Sequence, residues 1–332
     1  MQKVSLGIIS TAAIGTKKVI PGMQKSPYLD VKGIASRTIE SAQSVANQLG
    51  IEKAYGSYEE LLADPEIEAI YNPLPNHLHI PWTMKAAVAG KHVLCEKPIG
   101  LSAEDAAQLK TIDPKIVIME AFMVRYHPQW IRARELVTEG RIGTPRAVQV
   151  FFSYFNDDPN NIRNDASIGG GAAMDIGCYA IVAGRIAFDA DPLRVSSAID
   201  RDPTFKTDRT TSGVVDFGEG RHLTFTVSTQ SIPYQRVQIV GTKGRIEILI
   251  PFNAPQGEEC QILIDDGSDL RGAGIQTETF AACDQYQLQG DAFAHAVRGE
   301  LDMSGSIDDA LLNMRTLDAV FKSADTGMWI DV

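Results

Sequence analysis

Lys91-His92-Val93-Leu94-Cys95-Glu96-Lys97-Pro98 decides the reading of this chain, because an apolar run predicted as a strand delivers an ammonium, Lys97, at its carboxyl end and is closed by a proline. In open α/β sheets the carboxyl ends of the strands are where ligands and chemistry are placed. A lone Glu96-Lys97-Pro98 turn is equally a surface loop stopped by Pro98. Its weight comes from its surroundings.

Upstream, residues 4–10 form a short apolar strand pattern, 16–25 a helix, 31–36 a second strand and 39–49 an amphipathic helix, which together make a βαβ unit. The alternation continues through a helix at 58–63, a strand at 69–71, a helix at 81–89, the strand at 92–94, a helix at 103–110 and a strand at 116–119. Such alternation predicts a parallel, doubly wound sheet. After a helix at 129–139 the pattern changes. Strand-like segments at 147–155, 194–199, 212–217, 223–228, 236–240 and 245–249 predict a largely antiparallel sheet, interrupted by a glycine-rich helix start at 169–172 and followed by helices at 285–298 and 307–323. The expected fold class is α/β: an N-terminal Rossmann-type doubly wound parallel sheet, plus a C-terminal α+β domain with a large, mostly antiparallel open sheet. Residues 1–123 are expected to be the dinucleotide-binding domain and 124–332 the substrate-binding and oligomerisation domain. The last helix, with Leu311, Leu312, Met314, Leu317, Val320 and Phe321, is expected to pack back on the first domain.

Composition agrees with two cores, since 332 residues with 44% hydrophobic content exceed what one core sustains. Against 42 acidic side chains there are 31 basic ones, a net charge of −11, which argues against a phosphate-backbone partner. The amino terminus enters a strand directly, and no run reads as a transmembrane span, so the expected compartment is the cytoplasm. Cys95, Cys178, Cys260 and Cys283 are widely spaced, which suggests neither a zinc site nor a disulfide framework. His77, His92, His127, His222 and His295 lack metal-ligand spacing with a carboxylate, and no metal is expected.

The first strand-to-helix turn, Ser10-Thr11-Ala12-Ala13-Ile14-Gly15, stands where backbone N–H groups and a helix dipole accept a pyrophosphate. Of the Gly-x-Gly-x-x-Gly fingerprint only the last glycine is present, and Ser10 and Ala12 carry a Cβ that costs energy wherever φ must be positive. The second strand ends in Ser36-Arg37-Thr38. An NAD-specific unit would place an acid there for the ribose 2′-hydroxyl, whereas a guanidinium beside hydroxyls suits a 2′-phosphate and therefore NADP.

With these segments in place, the chain resembles the Gfo/Idh/MocA family of nicotinamide-dependent oxidoreductases. The resemblance runs through the first turn, Ala35-Ser36-Arg37, Pro75-Asn76-His77-Leu78-His79, Ala89 to Pro98, Glu120 to Pro128, Gly169 to Tyr179 and Ile239 to Gly244. It is closest in form to the branch that holds NADP-dependent xylose dehydrogenases, dimeric dihydrodiol dehydrogenases and glucose-fructose oxidoreductase.

The resemblance implies that Lys97 lies beside the nicotinamide and hydrogen-bonds the reacting oxygen, and that Tyr179 is the acid/base. A nearby ammonium favours the phenolate and lowers a pKa that otherwise lies near 10. Asp175, four residues before Tyr179 on a predicted helix, shares its face and is expected to bind substrate. The cofactor set implied is Ser10, Thr11, Ala12, Ala13, Ile14, Ser36, Arg37, Thr38, Pro73, Leu74, Asn76, His79, Glu96, Lys97 and Arg125. His79 is equally a cap or packing residue, and Glu96 either orients Lys97 or is solvated. Asn156 and Arg163, in the loop before the glycine run, are candidate contacts to sugar hydroxyls. Because Asp157, Asp158 and Asp165 share that loop with Arg163, a neutral substrate is expected.

The expected activity is NADP-linked hydride transfer at a carbinol carbon, foremost as an aldose 1-dehydrogenase acting on a xylose-like or glucose-like sugar. Reduction of a keto-sugar, anhydro-ketose or sugar nucleotide, oxidation of a trans-dihydrodiol, and a non-catalytic dinucleotide sensor are the alternatives. The sensor would have lost Lys97 or Tyr179. The broad face of the second sheet is expected to build a homodimer or homotetramer.

Overall fold

The computed structural model describes residues 2–303 and 305–332 and divides into two compact units. The first runs to Tyr126 and takes in Asp284–Leu311; the second comprises His127–Cys283 and Leu312–Val332. The chain therefore crosses over at Tyr126, a little beyond the expected 123/124 division. Residues 284–311, expected in the second domain, belong to the first.

The first unit is a six-stranded parallel sheet of β1 (Val4–Ile9), β2 (Leu29–Ala35), β3 (Lys53–Tyr55), β4 (Ala69–Asn72), β5 (His92–Cys95) and β6 (Ile118–Glu120). Its order, β3-β2-β1-β4-β5-β6, reverses direction between β1 and β4. The strands are near-continuous apolar runs because helices cover both faces; Leu6, Ile8, Ile34, Tyr71 and Leu94 form one core with Phe293 from the returning segment. Local caps fix the helices. Thr38 Oγ1 accepts from Ser41 N ahead of Ile39–Leu49, and Ser57 and Ser102 cap Tyr58–Ala63 and Ala103–Ala106 in the same way. The first helix, expected over 16–25, opens three residues earlier at Ala13, widens into a π-turn, Gly15–Val19, and continues as Ile20–Met23. Pro21 explains the widening, because its ring would clash with the carbonyl one α-turn back and it has no N–H to donate.

The second unit is a nine-stranded sheet of β7 (Pro145–Phe155), β8 (Arg194–Arg201), β9 (Asp208–Asp216), β10 (His222–Ser228), β11 (Gln230–Gly241), β12 (Arg245–Ile248), β13 (Cys260–Asp265), β14 (Ile275–Phe280) and β15 (Ile330–Asp331). The order is β14-β13-β12-β11-β7-β10-β9-β8-β15, antiparallel throughout except for the parallel pair β7 and β10. On β7, Val148, Val150 and Phe152 are buried while Ala147 and Gln149 alternate outward, the period-two pattern of a sheet covered on one face. The covering helix opens as a π-turn, Ala173–Gly177, and continues as Cys178–Phe188.

The apolar segment Ala166–Phe188 passes for a membrane span by length and composition alone, but it is interrupted at Gly169–Gly171 and most of its apolar window is buried inside the second unit, as befits a core helix. The expected placement of the last helix is corrected. The final helix, Ser306–Thr326, clusters with the second unit from Leu312 onward, not with the first. Ser197 of β8 fixes it there by donating from Oγ to Val320 O and from its N–H to Ser323 Oγ.

Candidate functional site

Each unit carries its own set of the singled-out residues. In the first they gather at the carboxyl ends of β1, β2, β4, β5 and β6, around the point where the strand order reverses.

The turn after β1 carries backbone strain. Ser10 has φ of 133°, a region that glycine occupies readily and serine does not. Its Oγ partly compensates by accepting from Ala12 N at 3.0 Å. Thr11 Oγ1 lies 3.3 Å from Ser41 Oγ, which ties this turn to the helix that follows β2. Ala13 and Ile14 are exposed in the first turn of the helix, which runs on into the π-turn at Gly15. At the end of β2, Ser36 is buried, Arg37 is exposed and Thr38 is committed to its cap. Small residues, an amino-terminal helix dipole and an exposed guanidinium at adjacent strand ends fit a dinucleotide carrying a 2′-phosphate.

After β4, Asn72 is fully buried and braces the loop, donating from Nδ2 to His79 O and Thr83 Oγ1 and accepting from Leu74 N. Pro73 and Leu74 are buried, and Asn76 opens the short helical turn Asn76–Leu78. His79 is 1% exposed, with Nδ1 2.7 Å from Pro98 O and Nε2 2.6 Å from Leu74 O. Both ring nitrogens are thereby engaged by backbone. His79 is a clamp between the loop after β4 and the Lys97-Pro98 turn, the packing role that its sequence position equally allowed. A neutral imidazole has one N–H for these two carbonyls, whereas burial disfavours the imidazolium that would serve both and pulls the pKa down to about 4.

After β5, Glu96 is not simply solvated. Its Oε1 accepts from the Tyr71 hydroxyl at 2.7 Å and its Oε2 from Lys97 N at 3.3 Å, so it shapes the turn that presents Lys97. Burial, and then Glu96, push the Tyr71 phenol far above its usual range, so it stays a donor. Lys97 is half-buried beside it, and Glu120 at the end of β6 accepts from Ile99 N at 2.8 Å. Arg125, expected at the cofactor, forms an ion pair with Asp309 at 2.7 Å. That partner arrives from the far end of the chain, and no local pattern announced it.

In the second unit, Tyr179 packs between Phe152, at a ring separation of 6.0 Å, and Phe252, at 5.4 Å. Asp175 Oδ2 accepts from the Tyr154 hydroxyl at 2.6 Å and from Arg163 Nε at 2.9 Å. Phe152 and Tyr154 lie two apart on β7 and so share its inner face, which places Tyr179 and Asp175 side by side along that strand. Burial, and then the Asp175 charge, hold the Tyr154 phenol far above its usual range, so it too remains a donor. Arg163 is thus paired with the carboxylate expected beside it in a substrate site. Asn156 shapes its own loop, Oδ1 accepting from Asp158 N at 3.1 Å and from Asn164 Nδ2 at 3.2 Å. Sequence reasoning missed Tyr154 and Asn72; the alternation of β7 outward from Phe152 would have marked Tyr154.

A doubly wound parallel sheet with a dinucleotide-type first turn, joined to an α+β unit carrying a tyrosine and aspartate on one buried helix, defines an oxidoreductase of the nicotinamide-dependent class. The chain belongs to the Gfo/Idh/MocA oxidoreductases: residues 4–115 match the oxidoreductase family with an NAD-binding Rossmann fold, and residues 130–247 match the GFO/IDH/MocA C-terminal domain. It is similar to an uncharacterized oxidoreductase of Rhizobium meliloti, 46% identical over 99% of both chains. It is also similar to a D-xylose 1-dehydrogenase (NADP(+)) of Haloferax volcanii, 39% identical over 98% of this chain and 99% of that one. Among solved structures, a 3-ketoreductase from Actinomadura kijaniata in complex with NADP and TDP-benzene superposes with a TM-score of 0.89 at 27% identity, covering 97% of this chain and 98% of the other.

Proposed function

We propose that the protein is an NADP(H)-dependent sugar dehydrogenase, oxidising a free aldose of the xylose or glucose type at C1 to the lactone. NADP(H), when bound, supplies the hydride-accepting and hydride-donating chemistry. The residues proposed to hold it are the backbone of Ser10 to Ile14 for the pyrophosphate and Ser36, Arg37 and Thr38 for the 2′-phosphate, with Pro73, Leu74, Asn76, Glu96, Lys97 and Arg125 lining the remainder. On this reading Tyr179 accepts the proton of the C1 hydroxyl and Lys97 stabilises the developing oxyanion. Asp175, Arg163 and Asn156 address the other sugar hydroxyls.

The observation that carries the choice of substrate is the ion pair of Arg163 with Asp175 at 2.9 Å. A nucleoside diphosphate needs cations to spare, and this guanidinium is already neutralised by its neighbour. The full-length similarity to a D-xylose 1-dehydrogenase supports the same choice. A second reading, a sugar-nucleotide 3-ketoreductase, is favoured by a Streptomyces violaceoruber relative of that activity, 30% identical over 90% of this chain. An expected trans-dihydrodiol activity has a Mus musculus relative at 32% identity over 73% of the chain. A non-catalytic sensor is disfavoured because Lys97 and Tyr179 are both present.

We further infer a homodimer or homotetramer built through the second sheet, supported by the exposed Phe155, Ile232 and Tyr234 on β7 and β11. The cytoplasm is the compartment we infer, supported by four cysteines of which none forms a disulfide. Initial rates at 340 nm with NADP⁺ and then NAD⁺ against xylose, glucose and a trans-dihydrodiol, and with NADPH against a dTDP-keto-sugar, test the activity, with Lys97→Ala and Tyr179→Phe as controls. NADP⁺-linked oxidation of a free aldose that both variants abolish is the expected result. Turnover confined to the nucleotide sugar would overturn the aldose reading, and a monomer by light scattering would overturn the assembly.

A further inference from the structure

Asp208 opens β9 and is only 1% exposed, yet no role described so far uses it. Its Oδ2 accepts from Ala173 N at 2.6 Å and from Thr211 Oγ1 at 2.7 Å. Its Oδ1 lies where a Cβ on Gly171 would come within 1.9 Å, and Gly171 has φ of 116°, so that position tolerates neither a side chain nor ordinary backbone geometry. The chain has been shaped to bring this carboxylate against the amino end of the helical segment that begins at Ala173.

Burying a carboxylate is costly unless donors and dipoles meet it. At this place they do, because the first N–H groups of a helix have no partner within it and its dipole is positive at that end. The helices after β2, β3 and β5 take their caps from the immediately preceding Thr38, Ser57 and Ser102, whereas Ala172 offers no such bond. The cap is supplied instead by a strand thirty-five residues further along the chain. Between this pin and Tyr179 lies the wide turn Ala173–Gly177, in which the Cys178 N–H reaches back to Ala173 O. A π-turn changes the rotation of everything beyond it, so the direction of Tyr179 depends on where the amino end is held.

We propose that Asp208 is the positioning residue of the acid–base helix, pinning its amino end through Ala173 N and thereby setting Asp175 and Tyr179 against the inner face of β7. The proposal rests on the acid/base role proposed above for Tyr179.

The test pairs hydrogen exchange by mass spectrometry with steady-state kinetics on the full-length protein and its Asp208→Ala, Asp208→Asn and Gly171→Ala variants. Expected for Asp208→Ala and Gly171→Ala is exchange accelerated by about tenfold or more over residues 173–179, with β11 and β12 unchanged. In the same variants kcat falls by about tenfold or more while KM for NADP⁺ stays within about twofold. Asp208→Asn keeps an oxygen acceptor for Ala173 N and recovers part of both losses. Wild-type exchange at 173–179 overturns the proposal. Uniform acceleration across the second unit also overturns it, because it would mark a residue of general stability, as does local loosening with wild-type kcat. A wild-type protein that oxidises no sugar would count against the functional reading, and the exchange arm, which needs no substrate, would still decide the pinning.

Discussion

The Tyr154 hydroxyl donates to Asp175 Oδ2 at 2.6 Å, and Arg163 Nε reaches the same oxygen at 2.9 Å. A strand, a loop and a helix thus converge on one carboxylate atom one helical turn before Tyr179. A hydrogen bond to a charged group is worth about 1.5–3 kcal/mol. Tyr154→Phe is therefore expected to lower kcat/KM for the sugar by about tenfold or more while leaving KM for NADP⁺ unchanged, as steady-state kinetics would show. Wild-type kinetics would mean that Arg163 alone suffices to hold Asp175.

Arg37 is exposed at the end of β2, where no carboxylate stands in Ser36-Arg37-Thr38. If it meets a 2′-phosphate, Arg37→Ala removes one charge-assisted contact, and KM for NADP⁺ should rise by about tenfold to a hundredfold with little change for NAD⁺. Equal loss with both cofactors would refute this discrimination.

Ser10 holds φ of 133° and uses its own hydroxyl to occupy Ala12 N. Ser10→Gly removes the strained Cβ, worth about 1–3 kcal/mol, and releases that N–H toward a ligand. A higher melting temperature and a lower dissociation constant for NADPH by fluorescence titration are expected. A less stable variant would show that the Ser10 hydroxyl outweighs the strain.

Stability between pH 4 and pH 6.5 is set by groups of opposite sign. Burial lowers the His79 and His127 imidazoles to about 4, so over this window the unfolded chain binds more protons and stability rises with pH. Burial raises the Asp208 carboxyl to about 6, so between about 4 and 6 the folded chain binds more protons and this contribution falls as pH rises. Urea unfolding at pH 4.5, 5.5 and 6.5 should therefore show a steeper gain of stability with pH for Asp208→Asn and a shallower one for His79→Gln. Parallel pH profiles for wild type and both variants would remove these groups from the linkage.

Much of the first unit was legible because its signals are local. Apolar strand runs, Thr38, Ser57 and Ser102 at helix starts, and Gly50 in a left-handed cap at φ of 66° all act within a few residues. The second unit was legible only where strands alternate clearly. β7, β8, β9, β10, β11 and β12 were anticipated, whereas β13, β14 and the two-residue β15 were not; the edge segment Ile275–Phe280 carries little apolar pattern, but β13, with Cys260, Ile262 and Ile264 buried in alternation, carried a signal that could have marked it. The expected i, i+4 relation of Asp175 and Tyr179 was altered by the π-turn, which periodicity does not announce.

The sequence by itself determined the βαβ order, the strand ends at which Ser10, Arg37 and Lys97 stand, and the family, because hydrophobic period, capping and turn chemistry depend on near neighbours. Only the tertiary structure decided that His79 clamps two backbone loops, that Arg125 pairs with Asp309, that Arg163 and Tyr154 converge on Asp175, and that Asp208 caps Ala173. Each of those joins groups distant in the chain or engages buried polar atoms. Such groups take whichever partner the packed core leaves within reach, and burial makes that partnership obligatory.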